Sequence, residues 1–443
     1  MVAAVSAYGA RAAHLDAKET ATREANATLA RTAWYGTGAV ERVLQEHVAF
    51  VERTADGKTP EVQAVRDALT QAGDRARPVA ADPGAAAKAI GGDAERKPFD
   101  DWLVQCRDRL KDRWSDDSPR AVALNLVVAD GDRSPAHAFS LGLVSTDREL
   151  PATPAEFRAQ NPAVYARDWA FRDYFNGGGN RFGREGEPFP VVRHTHISHA
   201  YRSSMRGRPW LVDISTPVWT GPDRTGRVVG LLSIGIRVDY LQSLINMPLD
   251  FLKEGDRTKT AESVSGFLVN DRECWVWHKE GMARLADDLD DTPPKPRDPD
   301  NLRALAYALS ARPPHTPADD YVPWFRVADG PTAYSDEYID PVRVGSGTAA
   351  GGGWEIAHTL TFHPYANSRY MNDPDPTGGP LKDRTWAFVV QVDREVALQP
   401  VSGLWGDMVR AGSALVATLI GLAVVLWVWL FRLLRGWEFA AHG

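Results

Sequence analysis

The chain has 443 residues, a formal net charge of −7 at pH 7, 25% charged residues and 44% hydrophobic residues. Such a length accommodates two or three domains with cores of their own, and the mildly acidic balance argues against a nucleic-acid partner. Two cysteines, Cys106 and Cys274, are too few for a disulfide framework, although one bridge between them would suit an oxidising compartment.

The opening MVAAVSAYGA is apolar but too short to span a bilayer, and it lacks the basic start and small-residue cleavage site of a signal peptide. The expectation is that the chain begins inside a longer one whose first membrane helix precedes it. Residues 1–75 are predicted to form a helical stem. Ala21, Ala25, Leu29 and Ala33 recur at every fourth place, Val40, Leu44, His47, Val48 and Val51 continue the stripe, and Val62, Val65 and Leu69 resume it after a break at Gly57 and Pro60. Residues 73–98, rich in Ala, Gly, Pro and Asp, read as a loop before a short helix around Trp102 to Trp114.

Strand character follows. AVALNLVVADGD alternates and ends in a turn, while PWLVDISTPVW, the turn GPDRTG and RVVGLLSIGIRV together predict an antiparallel hairpin closed by the helix DYLQSLI. The pattern then repeats: SGFLVNDRECWVWH reads as a hairpin, and WEIAHTLTF and RTWAFVVQVDREV as strands. The fold class is therefore α+β, with units at 76–250 and 251–404 behind the stem. A Pro- and Asp-rich insertion is expected near 284–332. Trp275, Trp277, His278, His358, Phe362 and His363 read as core and hairpin pairs of the second unit.

From Ala411 to Phe431 the chain carries no charge, and this stretch crosses roughly 30 Å of hydrocarbon as a helix. A transmembrane helix is assigned to 408–432 and a tail to 433–443. Trp427 and Trp429 mark an interfacial belt, and Arg432 and Arg435 against Arg410 place the tail in the cytoplasm.

No G-x-S-x-G elbow, P-loop, H-E-x-x-H or zinc-spaced cysteine pair occurs, and no cofactor is expected. The stretch YARDWAFRDYF instead places Arg167, Trp169, Arg172 and Tyr174 close together, a combination of guanidinium and aromatic wall that suits a small anionic ligand. The competing reading makes Trp169, Phe171 and Phe175 core residues, with both arginines on the surface. His194, His196, His199, Tyr201 and Ser203 form either a polar edge at the pocket mouth or the start of a metal site, and no metal is assigned. Asp213 and Ser215 share one face of a strand and Val212 and Ile214 the other, so Asp213 faces either the pocket or solvent.

FRDYFNGGG at 171–179, THISHAYRSSMRGRPWLVDISTPV at 195–218 and TGRVVGLLSIGIRVDYL at 225–241 resemble, in this order, the pocket helix, central strands and closing strand and helix of double Cache domains. These are extracytoplasmic sensors of bacterial chemoreceptors, histidine kinases, cyclases and membrane serine/threonine kinases. The resemblance implies a long N-terminal helix along two stacked Cache (PAS-like) antiparallel-sheet domains, an upstream membrane helix, a cytoplasmic output domain and a homodimer at the cell membrane. Members that take amino acids carry Arg-x-Trp-Tyr, a later Tyr and an Asp on the closing strand. Arg167 and Trp169 match, but Ala170, Ser198 and Gly235 depart from the pattern. The resemblance then implies a carboxylate or other anion held by Arg167, Trp169, Arg172, Tyr174, His196, Ser198, Tyr201, Ser203 and Asp213, with the amine-binding half missing. The alternatives are a membrane-anchored binding or scaffold protein without output, and a metal-dependent extracytoplasmic enzyme.

Overall fold

In the computed structural model, residues 2–111, 122–130, 135–146, 153–178, 184, 186–203, 209–255, 265–269, 275–277, 332–338, 355–375 and 378–440 are described. With no proline between residues 2 and 55, the stem runs unbroken as helix α1 (Val2–Ala55). Its apolar stripe is fully covered at Leu29, Ala33, Val40, Leu44, Val48 and Val51. The helix stops at the predicted break, and α2 (Pro60–Ala76) starts with proline in its first turn and Thr59 as its cap.

The loop expected over 73–98 is not observed. After a single 3-10 turn come α3 (Pro83–Ile90) and α4 (Asp93–Lys111). The Asp82 carboxylate accepts from Gly84 N at 3.0 Å and Ala85 N at 3.1 Å, which starts α3. Arg96 then donates to the carbonyls of Gly91, Ala87 and Leu141, anchoring the first turns of α4 ahead of Pro98. Proline and glycine here mark helix ends rather than an irregular stretch. Cys106 is buried on α4, its thiol pushed up to about 12 by burial. Cys274, and hence the proposed bridge, lies outside the described residues, as do His278 and most of the expected insertion.

The first sheet contains β1 (Val122–Ala129), β2 (Ala138–Ser145), β3 (His196–Ile197), β4 (Tyr201–Arg202), β5 (Trp210–Trp219) and β6 (Val228–Arg237), in the order β2-β1-β6-β5-β3, with β4 also on β5. Helices α5 (Pro154–Gln160), α6 (Pro162–Tyr165) and α7 (Asp173–Asn176) lie between β2 and β3, and α8 (Val238–Gly255) leads out. The second sheet uses β7 (Ser265–Val269), β8 (Trp275–Trp277), β9 (Thr332–Tyr338), β10 (Glu355–Phe362) and, after the small ribbon β11 (Pro374–Asp375) and β12 (Gly378–Pro380), β13 (Trp386–Asp393). Its order is β8-β7-β13-β10-β9. Both sheets thus place the first and last long strands side by side at the centre, and among the described residues every strand pair is antiparallel. The predicted hairpins β5–β6 and β7–β8 are present. Phe362 packs against Trp386 in a core continuous with that of the first sheet and the stem, His358 is buried with Nδ1 3.1 Å from Asn26 Oδ1 of α1, and His363 is exposed.

Helix α1 packs along both sheets, against β5 and β6 of the first and β10 and β13 of the second. The approach is closest at Gly36, where an added Cβ would come within 2.4 Å of the Phe388 ring. Gly36→Ala should therefore destabilise the chain by about 1–3 kcal/mol through overpacking. Gly38→Ala, two residues on with nothing within 4 Å, should gain about 0.5–1 kcal/mol from helix propensity alone. Opposite shifts in the urea midpoint test this contrast.

After β13, the short α9 (Arg394–Ala397) leads into α10 (Gln399–Ala440). Within it Val409–Arg432 is 24 residues long, has a mean hydropathy of 2.5 and is wholly unburied, long and apolar enough to cross a membrane. The observed architecture is the α+β arrangement expected: a long N-terminal helix, two antiparallel sheets and one apolar C-terminal helix.

Candidate functional site

Strand alternation gives the first sheet two different faces. Leu124, Val212, Ile214, Ile234 and Ile236 pack toward the helices, whereas Ala123, Leu143, Leu211 and Leu231 face an aromatic cluster that includes Trp169, Tyr174 and Tyr201. On that second face the register aligns Ala123, Gly235 and Asp213 in one row and Asn125, Ser233, Ser215 and His196 in the next. A Cβ at Gly235 would lie 2.6 Å from Asp213 Oδ1. The absent side chain leaves the space that the Asp213 carboxylate occupies.

The wall over this face comes from residues 162–176. Asp168 pins it: its Oδ1 accepts from Ala138 N and Ala170 N, both at 2.9 Å, and its Oδ2 lies 2.5 Å from His137 Nδ1. Trp169 N donates to Ala138 O, and Trp169 Nε1 to Val164 O. The buried Arg172 guanidinium then lies 4.8 Å from the centre of the Tyr201 ring, 5.1 Å from Phe171 and 5.6 Å from Trp169. Tyr201 donates its hydroxyl proton to Asp213 Oδ2, and Ser215 Oγ donates to Tyr174 O at 2.6 Å.

These groups enclose a cavity of ≈ 50 Å³ lined by Trp169, Arg172, Tyr174, Tyr201, Ser203 and Asp213, with Asn125 and Leu211 in its floor. Burial pushes the Asp213 carboxyl up to about 6, against the opposing pull of the Tyr201 hydroxyl and the Arg172 charge. Burial also lowers Arg172 and raises Tyr174 and Tyr201, the tyrosines further because of the Asp213 charge. A buried guanidinium and a buried carboxyl thus face one small aromatic-walled space. That arrangement can hold an anionic group at one end and a hydrogen-bond donor at the other.

Six of the nine residues singled out from sequence line the cavity. The other three lie outside its lining. Arg167 is exposed, its guanidinium 5.1 Å from the ring centres of both Trp169 and Phe171. His196 is buried with Nε2 3.3 Å from Asp173 Oδ2. Ser198 acts on the strand: its N donates to Asp213 O at 2.8 Å, and its Oγ accepts from Asp213 N at 2.9 Å, which fixes the height of the Asp213 side chain. Phe171 and Phe175 are core residues, but the accompanying expectation of a surface arginine holds for Arg167 only. Gly235 carries no acidic group, and the carboxylate beside it is that of Asp213 on the adjacent strand. Sequence reading missed Asn125. Its signal was a lone amide within the apolar run AVALNLVVA, whose Oδ1 here accepts from Ser140 Oγ at 2.9 Å. Among the described residues no cluster of three or more His, Cys, Asp or Glu side chains could hold a metal ion. The backbone of His199 donates to Asp173 Oδ2 at 2.7 Å.

No protein-family model matches the chain, and no curated protein matches it. Solved structures that resemble it include the periplasmic sensory domain of the Campylobacter jejuni chemoreceptor Tlp1, at TM-score 0.39 and 11% identity, covering 86% of this chain and 99% of that one. The ligand-binding domain of the Pseudomonas aeruginosa PAO1 amino-acid chemoreceptor PctC, in complex with GABA, resembles it at 0.33 and 11%, covering 83% and 100%. The ligand-binding domain of Campylobacter jejuni Tlp3, with L-valine, does so at 0.28 and 9%, covering 82% and 98%. No residue correspondence follows from likenesses this distant.

Proposed function

We propose that this chain is the extracytoplasmic sensing region of a membrane signal-transduction receptor, non-catalytic in itself, which binds a small carboxylate in the cavity of its first sheet. The observation that supports this reading best is the fully buried Arg172 guanidinium lining a cavity beside three aromatic rings. Desolvating a guanidinium is costly, and a planar anion that accepts two of its hydrogen bonds offsets that cost. Asp213 and Asn125 add that the ligand carries a donor or ammonium group at its other end. The proposed division is a stem at 1–75, a membrane-distal Cache domain at 76–250, a membrane-proximal one at 251–404, a membrane helix at 408–432 and a cytoplasmic tail at 433–443. Ligand binding shifts the distal sheet against α1, and the second sheet passes the shift to α10 within a homodimer.

The test is a thermal-shift screen of the detergent-solubilised chain against carboxylates, amino acids, amines and divalent metals. A ligand at a hundred times its dissociation constant adds about 2.7 kcal/mol. Stabilisation by carboxylates supports the proposal. Stabilisation by amines without an acidic group, or by zinc alone, overturns it in favour of a cation site or a metal-dependent enzyme, and silence across the panel favours a scaffold.

A further inference from the structure

Glu52 lies on the stem helix and is 1% exposed. Its carboxylate is bonded from two directions. From the first sheet, Thr195, the residue before β3, donates through Oγ1 to Glu52 Oε1 at 2.6 Å. From the segment after β10, Ser368 Oγ donates to the same Oε1 at 2.5 Å, and Arg369 N to Oε2 at 2.8 Å. The same segment reaches β3 directly, where Ile197 N donates to the Tyr365 hydroxyl at 2.8 Å. One carboxyl side chain therefore ties the stem, the edge of the first sheet and a loop of the second sheet at a single buried point. Other ties around this contact include Trp219 Nε1, which donates to the Tyr370 hydroxyl at 3.3 Å, Gln45 Nε2 of the stem, which donates to His363 O at 3.0 Å, and the ion pairs of Arg369 with Asp56 at 3.3 Å and Arg224 with Asp373 at 2.9 Å.

Thr195 is also close to the cavity along the chain. His196 and Ile197 pair with Ser215 and Ile214, and the next residue, Ser198, exchanges two hydrogen bonds with the backbone of Asp213. A movement of Asp213 along or out of its strand must therefore move β3, and β3 is held by Glu52.

We propose that Glu52 is a positioning residue that couples the cavity edge of the first sheet to the 363–373 segment of the second. This goes beyond the ligand reading and does not depend on which ligand the cavity takes. Burial raises the Glu52 carboxyl above its ordinary value despite the bonds from Arg369, Ser368 and Thr195, so the ionised group costs the fold stability. A group that costs stability yet bonds both sheets fits a coupling role better than a stabilising one.

Hydrogen exchange on the full chain in lipid nanodiscs tests the proposal. Ser368→Ala removes one donor on the second-sheet side, and the expected result is exchange about tenfold faster at the amides of Ile197, Ser198 and His199 on the first sheet. In a Glu52→Gln background the same substitution should add no further change at those amides. A change confined to 363–373 overturns the proposal, as does an effect at 197–199 that persists undiminished without the carboxylate, since the Tyr365 contact then carries it. Should Glu52→Gln not fold, Thr195→Val severs the same carboxylate from the first sheet and gives the same two readings.

Discussion

Asp213→Asn is expected to raise the melting temperature of the ligand-free protein by several degrees at pH 7.5. The Asp213 carboxyl titrates near 6 in the fold against 3.8 in the open chain, which at pH 7.5 amounts to a cost of about 3 kcal/mol. The sign follows from proton binding. Between pH 3.8 and 6 the folded chain retains a proton that the unfolded chain releases, so stability falls as pH rises through that window, and the deficit is complete above it. Asparagine keeps an oxygen for the Tyr201 hydroxyl and removes the charge. The stabilisation should therefore be present at pH 7.5 and nearly absent at pH 4. Melting curves at the two pH values check this. A variant that melts no higher than the parent at pH 7.5 would mean that the carboxylate is well solvated and that the cavity stores no cost for a ligand to relieve.

Arg172→Met should weaken any carboxylate that stabilises the parent by about 100-fold, the scale of a buried two-pronged charged contact. Arg172→Lys should retain part of the response, about tenfold weaker, because the charge survives while the planar fork does not. The same Met variant removes the positive charge that holds Asp213 down, so the Asp213 carboxyl should titrate above its present value near 6. Calorimetric titration with the best carboxylate from the screen, followed by pH-dependent melting, separates the two effects. Equal affinity in all three proteins would place the ligand elsewhere. Affinity lost in the Met variant without any movement of the Asp213 titration would mean that the two groups do not share one cavity.

Much of the architecture could be read locally. A four-residue apolar stripe without proline specifies α1, and Gly57 with Pro60 specifies its end. Alternating β-branched strands around GPDRTG specify the β5–β6 hairpin, and an uncharged run longer than a bilayer is thick specifies the membrane-length helix. Each of these signals lies within one element and its turn. Helix α3 and the first turns of α4 were hidden because alanine, glycine, proline and aspartate are shared by loops and helix termini, whereas the later turns of α4 around Trp102 were legible. Only the capping geometry at Asp82 and the long reach of Arg96 to Leu141 distinguish the two.

The candidate site divides along the same line. Sequence alone concentrated Trp169, Arg172 and Tyr174 in one short stretch, because aromatic and guanidinium groups close in sequence remain close in space. It also separated Asp213 from Val212 and Ile214 by strand alternation, but could not choose which face of the sheet would be covered by residues 162–176. That choice depends on Asp168 bonding Ala138, thirty positions away, and on Gly235 leaving room beside Asp213. Glu52 was invisible for the same reason. On a helical wheel it is an ordinary charged residue of an amphipathic stem, and its meaning comes from Thr195 and Ser368, 143 and 316 positions along the chain. Periodicity, turns and the membrane-length helix belong to the sequence by itself, since they arise from short-range sterics and from burial patterned within single elements. Which carboxylate faces the cavity and which residue ties the two sheets were decided only by the tertiary structure, because desolvation and hydrogen bonding at those points depend on groups that only the folded chain brings together.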